Sequence, residues 1–220
     1  MDIKLGDRGE TVARLWAELI GVFVILPVII MSSVQHVAPW LMALLGGMAL
    51  VCLLILLNDK QFKRFKLWHW QDFSMHLADS ILFFLPWAGL VTVGVYLIKP
   101  ELFLQWPLQK PMFWLLTLLI YPLISVIPQE IIFRTYFFHR YKKILPSKNW
   151  RWAVSTFVFG LAHVVYGNWV AVVLSWCGGA LFGYRYIRTQ STPVVVIEHA
   201  LWGSFIFTVG LGSYLVISPS

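Results

Sequence analysis

The stretch Ser80-Ile-Leu-Phe-Phe-Leu-Pro-Trp-Ala-Gly-Leu-Val-Thr-Val-Gly-Val-Tyr-Leu-Ile98 runs for nineteen residues without an acidic or basic side chain. About 20 apolar residues in a helix cross the hydrocarbon core of a bilayer, roughly 30 Å thick. Only a structure that satisfies every backbone polar group internally survives there, and for one isolated run that structure is an α-helix. Further apolar runs cover 16–35, 39–57, 112–139, 150–166, 168–186 and 192–216. With 59% hydrophobic and 12% charged residues among 220, the chain cannot cover a water-facing surface, since soluble domains carry about 25% charged residues. The expected fold is all-α, a polytopic transmembrane helical bundle of about seven spans (six to eight), forming one integral membrane domain over 1–220.

The basic residues orient this bundle. With the N-terminus cytoplasmic, Lys4, Arg8, Arg14, Lys60, Lys63, Arg64, Lys66, Arg140, Lys142, Lys143, Lys148, Arg151, Arg185 and Arg188 all fall on the cytoplasmic side. Lys99 and Lys110 fall opposite, and Arg134 lies within the fourth run. Such asymmetry is the positive-inside pattern. It also explains the net charge of +7 without nucleic acid: the expected partner is the lipid bilayer, and no nucleic-acid partner is expected. Residues 59–79 interleave Lys60, Lys63, Arg64 and Lys66 with Phe62, Phe65, Leu67, Trp68 and Trp70, which predicts an interfacial amphipathic segment. The first fifteen residues are charged and polar, and the run from Trp16 lacks a small-residue cleavage pattern, so it reads as a retained first span. Cys52 and Cys177 sit in apolar runs as small hydrophobes, with no Cys/His zinc spacing around them.

Against this background a few ionisable groups stand out. Glu130 and Glu198 are the acids well inside apolar runs, and His163 and His199 are the inside histidines. Charge within a membrane is costly and marks function by default. Glu130 and Arg134 are four residues apart and share a helix face. Taken singly, Glu130 and Arg134 suit an ion pair, and each histidine suits a packed, hydrogen-bonded side chain; together, on three runs, they call for a shared polar cavity. Pro122 and Pro128 predict a kinked fourth helix at this point. Gly178, Gly179, Gly203, Gly210 and Gly212 permit close helix approach.

These groups lie in Gln129-Glu130-Ile131-Ile132-Phe133-Arg134, Phe159-Gly160-Leu161-Ala162-His163 and His199-Ala200-Leu201-Trp202-Gly203. In this order they resemble the motifs of the CAAX protease and bacteriocin-processing family, also called ABI or CPBP: Glu-Glu-x-x-x-Arg, Phe-x-x-x-His and His-x-x-x-Asn/Asp on separate helices. The resemblance covers about 112–210. It implies an intramembrane endopeptidase of glutamic type with no cofactor, in which a glutamate and the first histidine activate water while the second histidine and the amide stabilise the oxyanion. Carried over by residue, Glu130, His163, His199 and Arg134 are the expected catalytic set. The substrate class implied is a membrane-anchored or membrane-adjacent protein or peptide. A bacterial cytoplasmic (inner) membrane and the myxosortase-like branch fit the compact chain.

The chain departs from that pattern twice. Gln129 stands where the family places its first glutamate, and an amide cannot accept a proton at neutral pH. Gly203 stands at the amide position and offers no side-chain donor. Glu130 or Glu198 is then the candidate base, and Ser204, Trp202, Asn168 or backbone N–H groups are the candidate oxyanion donors. Zinc held by Glu130, His163 and His199 is the less favoured alternative, because the helical His-Glu-x-x-His arrangement is missing. A catalytically silent scaffold or immunity protein of the same fold, and a small transporter, are the rival expectations. The span map leaves one tension: it puts His163 near the outer end of its helix and His199 near the inner start of its own.

Overall fold

The computed structural model describes residues 3–217, with side chains from Thr11 onward. The side chains of Lys4 and Arg8, which the orientation expectation counts on the cytoplasmic side, lie outside what is described. All regular structure among the described residues is helical. Seven principal helices follow one another: α1 (Thr11–Ser32), α2 (Val34–Asn58), α3 (Phe73–Ile98), α4 (Pro111–Lys143), α5 (Lys148–Ala162), α6 (Trp169–Thr189) and α7 (Thr192–Val209). All except α5 are long and apolar enough to cross a membrane, and large side chains such as Leu82, Leu97 and Leu119 point outward as lipid-facing groups do. The protein is an integral membrane helical bundle.

Several boundaries differ from the apolar runs, each for a local reason. The helix leading into α1 is already formed from Ile3, so the charged N-terminal segment is helical rather than a tail. α3 starts at Phe73 and carries His76 and Asp79 within its first turns. In the segment before it, expected as an interfacial amphipathic segment, the one helical turn is the 3₁₀ turn Arg64–Leu67. Phe62 there enters the core while Trp68 is 76% exposed. Long-range bonds hold this loop instead: Lys66 Nζ donates to Gln190 Oε1 at 2.6 Å and His69 Nδ1 to the Thr189 carbonyl at 3.1 Å. Burial lowers the Lys66 ammonium pKa from its ordinary value. At the other end α7 stops at Val209, because Gly210 adopts φ +114° and a side chain there would run into the Leu102 carbonyl. Residues Leu211–Leu215 then turn back over the bundle rather than extending the seventh helix.

The core forms where α1 meets α4 and α5. Leu15, Leu19 and Phe23 recur every four residues on α1 and are buried as one stripe. The Phe23 ring meets Phe133 at 5.5 Å, Phe137 at 5.4 Å and Tyr141 at 5.9 Å, all edge-on. One turn away Glu18, expected at a span edge, accepts from Arg140 at 2.6 and 3.0 Å, from Tyr136 at 2.7 Å and from Tyr141 at 3.1 Å. A carboxylate within α1 is thereby fully partnered by the end of α4.

The α5–α6 hairpin is built on close approach. Ser147 and Asn168 cap the two helices, accepting from the backbone N–H groups of Asn149 and Ala171 at 3.2 and 2.8 Å. Gly179 and Gly183 lie one turn apart on α6. A methyl group at Gly179 would meet the Thr156 carbonyl at 3.2 Å, and one at Gly183 would meet Trp152 Cδ1 at 2.7 Å. Gly160 on α5 is likewise covered by the Trp176 indole. Small residues at this spacing let two backbones pack tightly in lipid. Replacing Gly183 by Val should therefore cost about 1–3 kcal/mol through overpacking, read as a lower thermal midpoint of the detergent-solubilised protein. An unchanged midpoint would show that the hairpin does not depend on that approach.

Candidate active site

Prolines shape the helix that carries Glu130. α4 holds π-helical turns at Pro122–Val126 and Ile131–Tyr136, on either side of the turn Ile127–Glu130. Each wide turn rotates the helix beyond it and breaks the regular ladder, as the prolines predicted. The outcome is that Gln129 and Glu130 serve different surroundings. Gln129 faces a cavity of about 760 Å³ and donates through Nε2 to Ser125 Oγ at 2.7 Å, while its Oε1 is buried with no hydrogen-bond partner among the described residues.

Glu130 turns inward and is fully buried, facing His199 and Arg134. Its Oε1 accepts from His199 Nδ1 at 2.7 Å, and its Oε2 lies 3.3 Å from Arg134 Nε. Arg134 is also fully buried, with its guanidinium stacked 4.4 Å over the Phe159 ring and 5.9 Å from the Phe182 centroid. Glu130 is thus the carboxylate partner of a buried guanidinium. A carboxylate can only accept, so His199 Nδ1 carries a proton and its Nε2 is the free edge. The ring is clamped by Phe182, stacked on it at 4.3 Å and 18°.

His163 follows the last residue of α5. Its Nδ1 lies 2.7 Å from the Phe159 carbonyl one turn earlier. A carbonyl only accepts, so Nδ1 is the protonated nitrogen and Nε2 presents a lone pair. His163 and His199 line the same cavity and share one wall, the Phe159 ring, at 4.8 and 5.8 Å between centroids. The depth conflict of the span map dissolves here. At 1.5 Å per residue, α5 is about 22 Å long, shorter than a full crossing, and the histidine that follows it lines the same cavity as His199.

The remaining sequence candidates stand apart. Glu198 is buried but accepts from Arg185 Nε and Nη2, at 2.8 and 3.0 Å, and does not line the cavity. Arg185, counted among the cytoplasmic-side cations at the end of its run, lies on α6 as its partner. Asn168 spends its amide on helix structure: Oδ1 caps α6 and Nδ2 donates to the carbonyls of Tyr166 at 3.1 Å and Tyr214 at 2.8 Å. Ser204 lies on α7 outside the cavity lining, whereas Trp202 and Gly203 border it. Trp202 packs edge-on against Phe84 at 4.9 Å, and its indole N–H has no partner among the described residues.

No three His, Cys, Asp or Glu side chains among the described residues are grouped to hold a metal ion. The cavity wall adds Tyr121, Tyr166 and Phe182, which no sequence motif marked. Their only signal is aromatic residues lying within apolar runs, which is too common to single them out. The rest of the wall is mainly apolar, with Phe83 and Trp87 from α3, Ile120 from α4 and Ile206 from α7.

Residues 111–205 match a family model described as type II CAAX prenyl endopeptidase, Rce1-like. The matched segment runs from the first residue of α4 into α7 and contains Glu130, Arg134, His163 and His199. The resemblance carried by the three motifs is thus found independently, and at family level it supports a CAAX-type intramembrane protease. No curated protein and no solved structure matches the chain.

Proposed function

From a chain whose residues 111–205 match the Rce1-like family of CAAX-type endopeptidases, we propose an intramembrane endopeptidase that hydrolyses a peptide bond in a membrane-anchored or membrane-adjacent protein segment. One observation carries this: two histidines, each with Nδ1 committed to a fixed acceptor, line the same apolar cavity. His163 Nε2 accepts a proton from water. Gln129 Oε1, an unused buried acceptor, takes a hydrogen bond from the water's other hydrogen and orients it. The hydroxide attacks the scissile carbonyl. His199, its Nδ1 hydrogen-bonded to Glu130, meets the oxyanion with a second proton on Nε2 in this scheme, and His163 returns its proton to the leaving amine.

Glu130 keeps an essential place in this scheme, but acts through His199: one of its oxygens is hydrogen-bonded to that ring and the other faces Arg134. No step calls for a metal or cofactor. The apolar wall suits an acyl chain, an isoprenoid tail or an apolar helix end equally. A cytoplasmic N-terminus belongs to the same proposal and rests on the basic residues.

A catalytically silent relative is the second reading, favoured by the amide at Gln129. Both are tested by presenting the purified protein in lipid nanodiscs with a library of single-span and lipidated C-terminal peptides, with cleavage read by mass spectrometry. The endopeptidase reading expects internal cleavage that His163→Ala slows by about 10²–10⁴-fold, the usual range for a general base. If the wild type cuts none of the library, or no faster than His163→Ala, the silent reading stands.

A further inference from the structure

Gly203 lines the cavity one turn beyond His199, and what its missing side chain leaves room for is specific. A methyl group built there would overlap Oη, Cε1 and Cζ of Tyr121, its three nearest atoms. The phenol of α4 therefore fills the space that any side chain at 203 would enter. Its ring is held edge-on by Phe207 at 5.0 Å and lies 6.2 Å from the His199 ring, also edge-on. Tyr121 immediately precedes Pro122 and the π-helical turn Pro122–Val126, so the distortion of α4 starts where this ring is aimed inward. Its hydroxyl has no hydrogen-bond partner among the described residues, although Tyr136 and Tyr141 both spend theirs on Glu18. A phenol in an apolar wall beside His199 is a donor in want of an acceptor.

We propose that Tyr121 Oη is the second oxyanion donor of this active site, acting beside His199 Nε2. The proposal rests on the endopeptidase reading above. As hydroxide adds to the scissile carbonyl, its π electrons move onto oxygen, and the Tyr121 O–H hydrogen-bonds that oxygen without giving up its proton. Collapse of the intermediate returns the electrons to the carbonyl and expels the amine, which takes the proton held by His163. Two further donors border the cavity: Trp202 belongs to the α3 side, where its ring meets Phe83 and Phe84, and Tyr166 lies by His163, 5.8 Å between ring centroids, rather than by His199.

The test has two arms, both on the full chain in nanodiscs. The first is kinetic. Tyr121→Phe keeps the ring and removes only the donor, so kcat should fall about 10²-fold with little change in KM, as for removal of one oxyanion-hole donor. Tyr121→Ala with Gly203→Asn opens the space and supplies an amide donor from the opposite wall. It should be at least tenfold faster than Tyr121→Ala alone, whereas Gly203→Asn alone should be impaired by the phenol. The second arm needs no turnover. A peptide with a phosphinate in place of the scissile amide mimics the tetrahedral anion. Wild type should bind it at least tenfold tighter than its amide parent, and Tyr121→Phe should abolish that margin. Full kcat in Tyr121→Phe, or a phosphinate margin unaffected by it, overturns the proposal. Equal binding of the two peptides by the wild type overturns it as well. A wild type that prefers the phosphinate yet cleaves nothing would instead remove the endopeptidase reading and leave the anion site standing.

Discussion

Glu130→Gln is expected to lower kcat by about 10³-fold while leaving KM nearly unchanged. The substitution preserves volume and leaves an oxygen able to accept from His199 Nδ1, but it removes the negative charge 2.7 Å from the ring. Without that charge nothing balances a second proton on the ring, and His199 with its one proton on Nδ1 has no hydrogen to offer an oxyanion. Loss of one such donor costs about 10²–10³-fold elsewhere, and disorder of the tautomer adds to it. The matching substitution Glu198→Gln should leave kcat within a few-fold, because that carboxylate is engaged by Arg185 and does not line the cavity. Steady-state rates on a cleaved single-span peptide decide between them. Activity above a tenth of wild type in Glu130→Gln, or greater damage from Glu198→Gln, would remove Glu130 from the site.

Arg134→Met should be the most damaging single change to stability, at about 3–5 kcal/mol. Arg134 and Glu130 are both fully buried, and the guanidinium nitrogens have no hydrogen-bond partner among the described residues. Two terms hold the cation there: the carboxylate oxygen 3.3 Å from Nε and the Phe159 ring face 4.4 Å from Cζ. Removing it leaves the buried Glu130 carboxylate with His199 as its one remaining partner, and breaking one partner of a buried pair costs in that range. Lysine would not replace it, since an ammonium is compact and more strongly hydrated and cannot lie flat on Phe159. The double variant Arg134→Met/Glu130→Gln should regain part of the loss, because no stranded charge remains. Thermal unfolding in detergent measures this cycle. A midpoint for Arg134→Met equal to wild type, or strictly additive single changes, would show that the pair is not coupled.

The fold was legible because lipid imposes a simple rule: apolar runs of span length must be helices. The runs at 39–57 and 80–98 lie inside α2 and α3. Where legibility failed, the cause was tertiary. Residues 59–72 carry an amphipathic composition, yet bonds from Lys66 and His69 to the α6–α7 turn hold them as a loop. α5 reads as a span by hydropathy, but it forms a fifteen-residue helix that ends at His163 inside the bundle. The sequence does not show that Arg185, near the end of the run 168–186, pairs with Glu198.

For the site, sequence by itself determined the inventory: Glu130, Arg134, His163 and His199 are costly in lipid, and their order carries the family resemblance. Tertiary structure decided what each of them faces. Both oxygens of Glu130 point to neighbours on the protein, Glu198 is committed to Arg185, Asn168 is committed to helix ends, and the space at Gly203 is filled by a phenol from α4. The physical reason is that burial cost depends on residue type and local hydropathy, which are written along the chain. Which partner repays that cost depends on directions and distances between helices far apart in sequence, and only packing sets those.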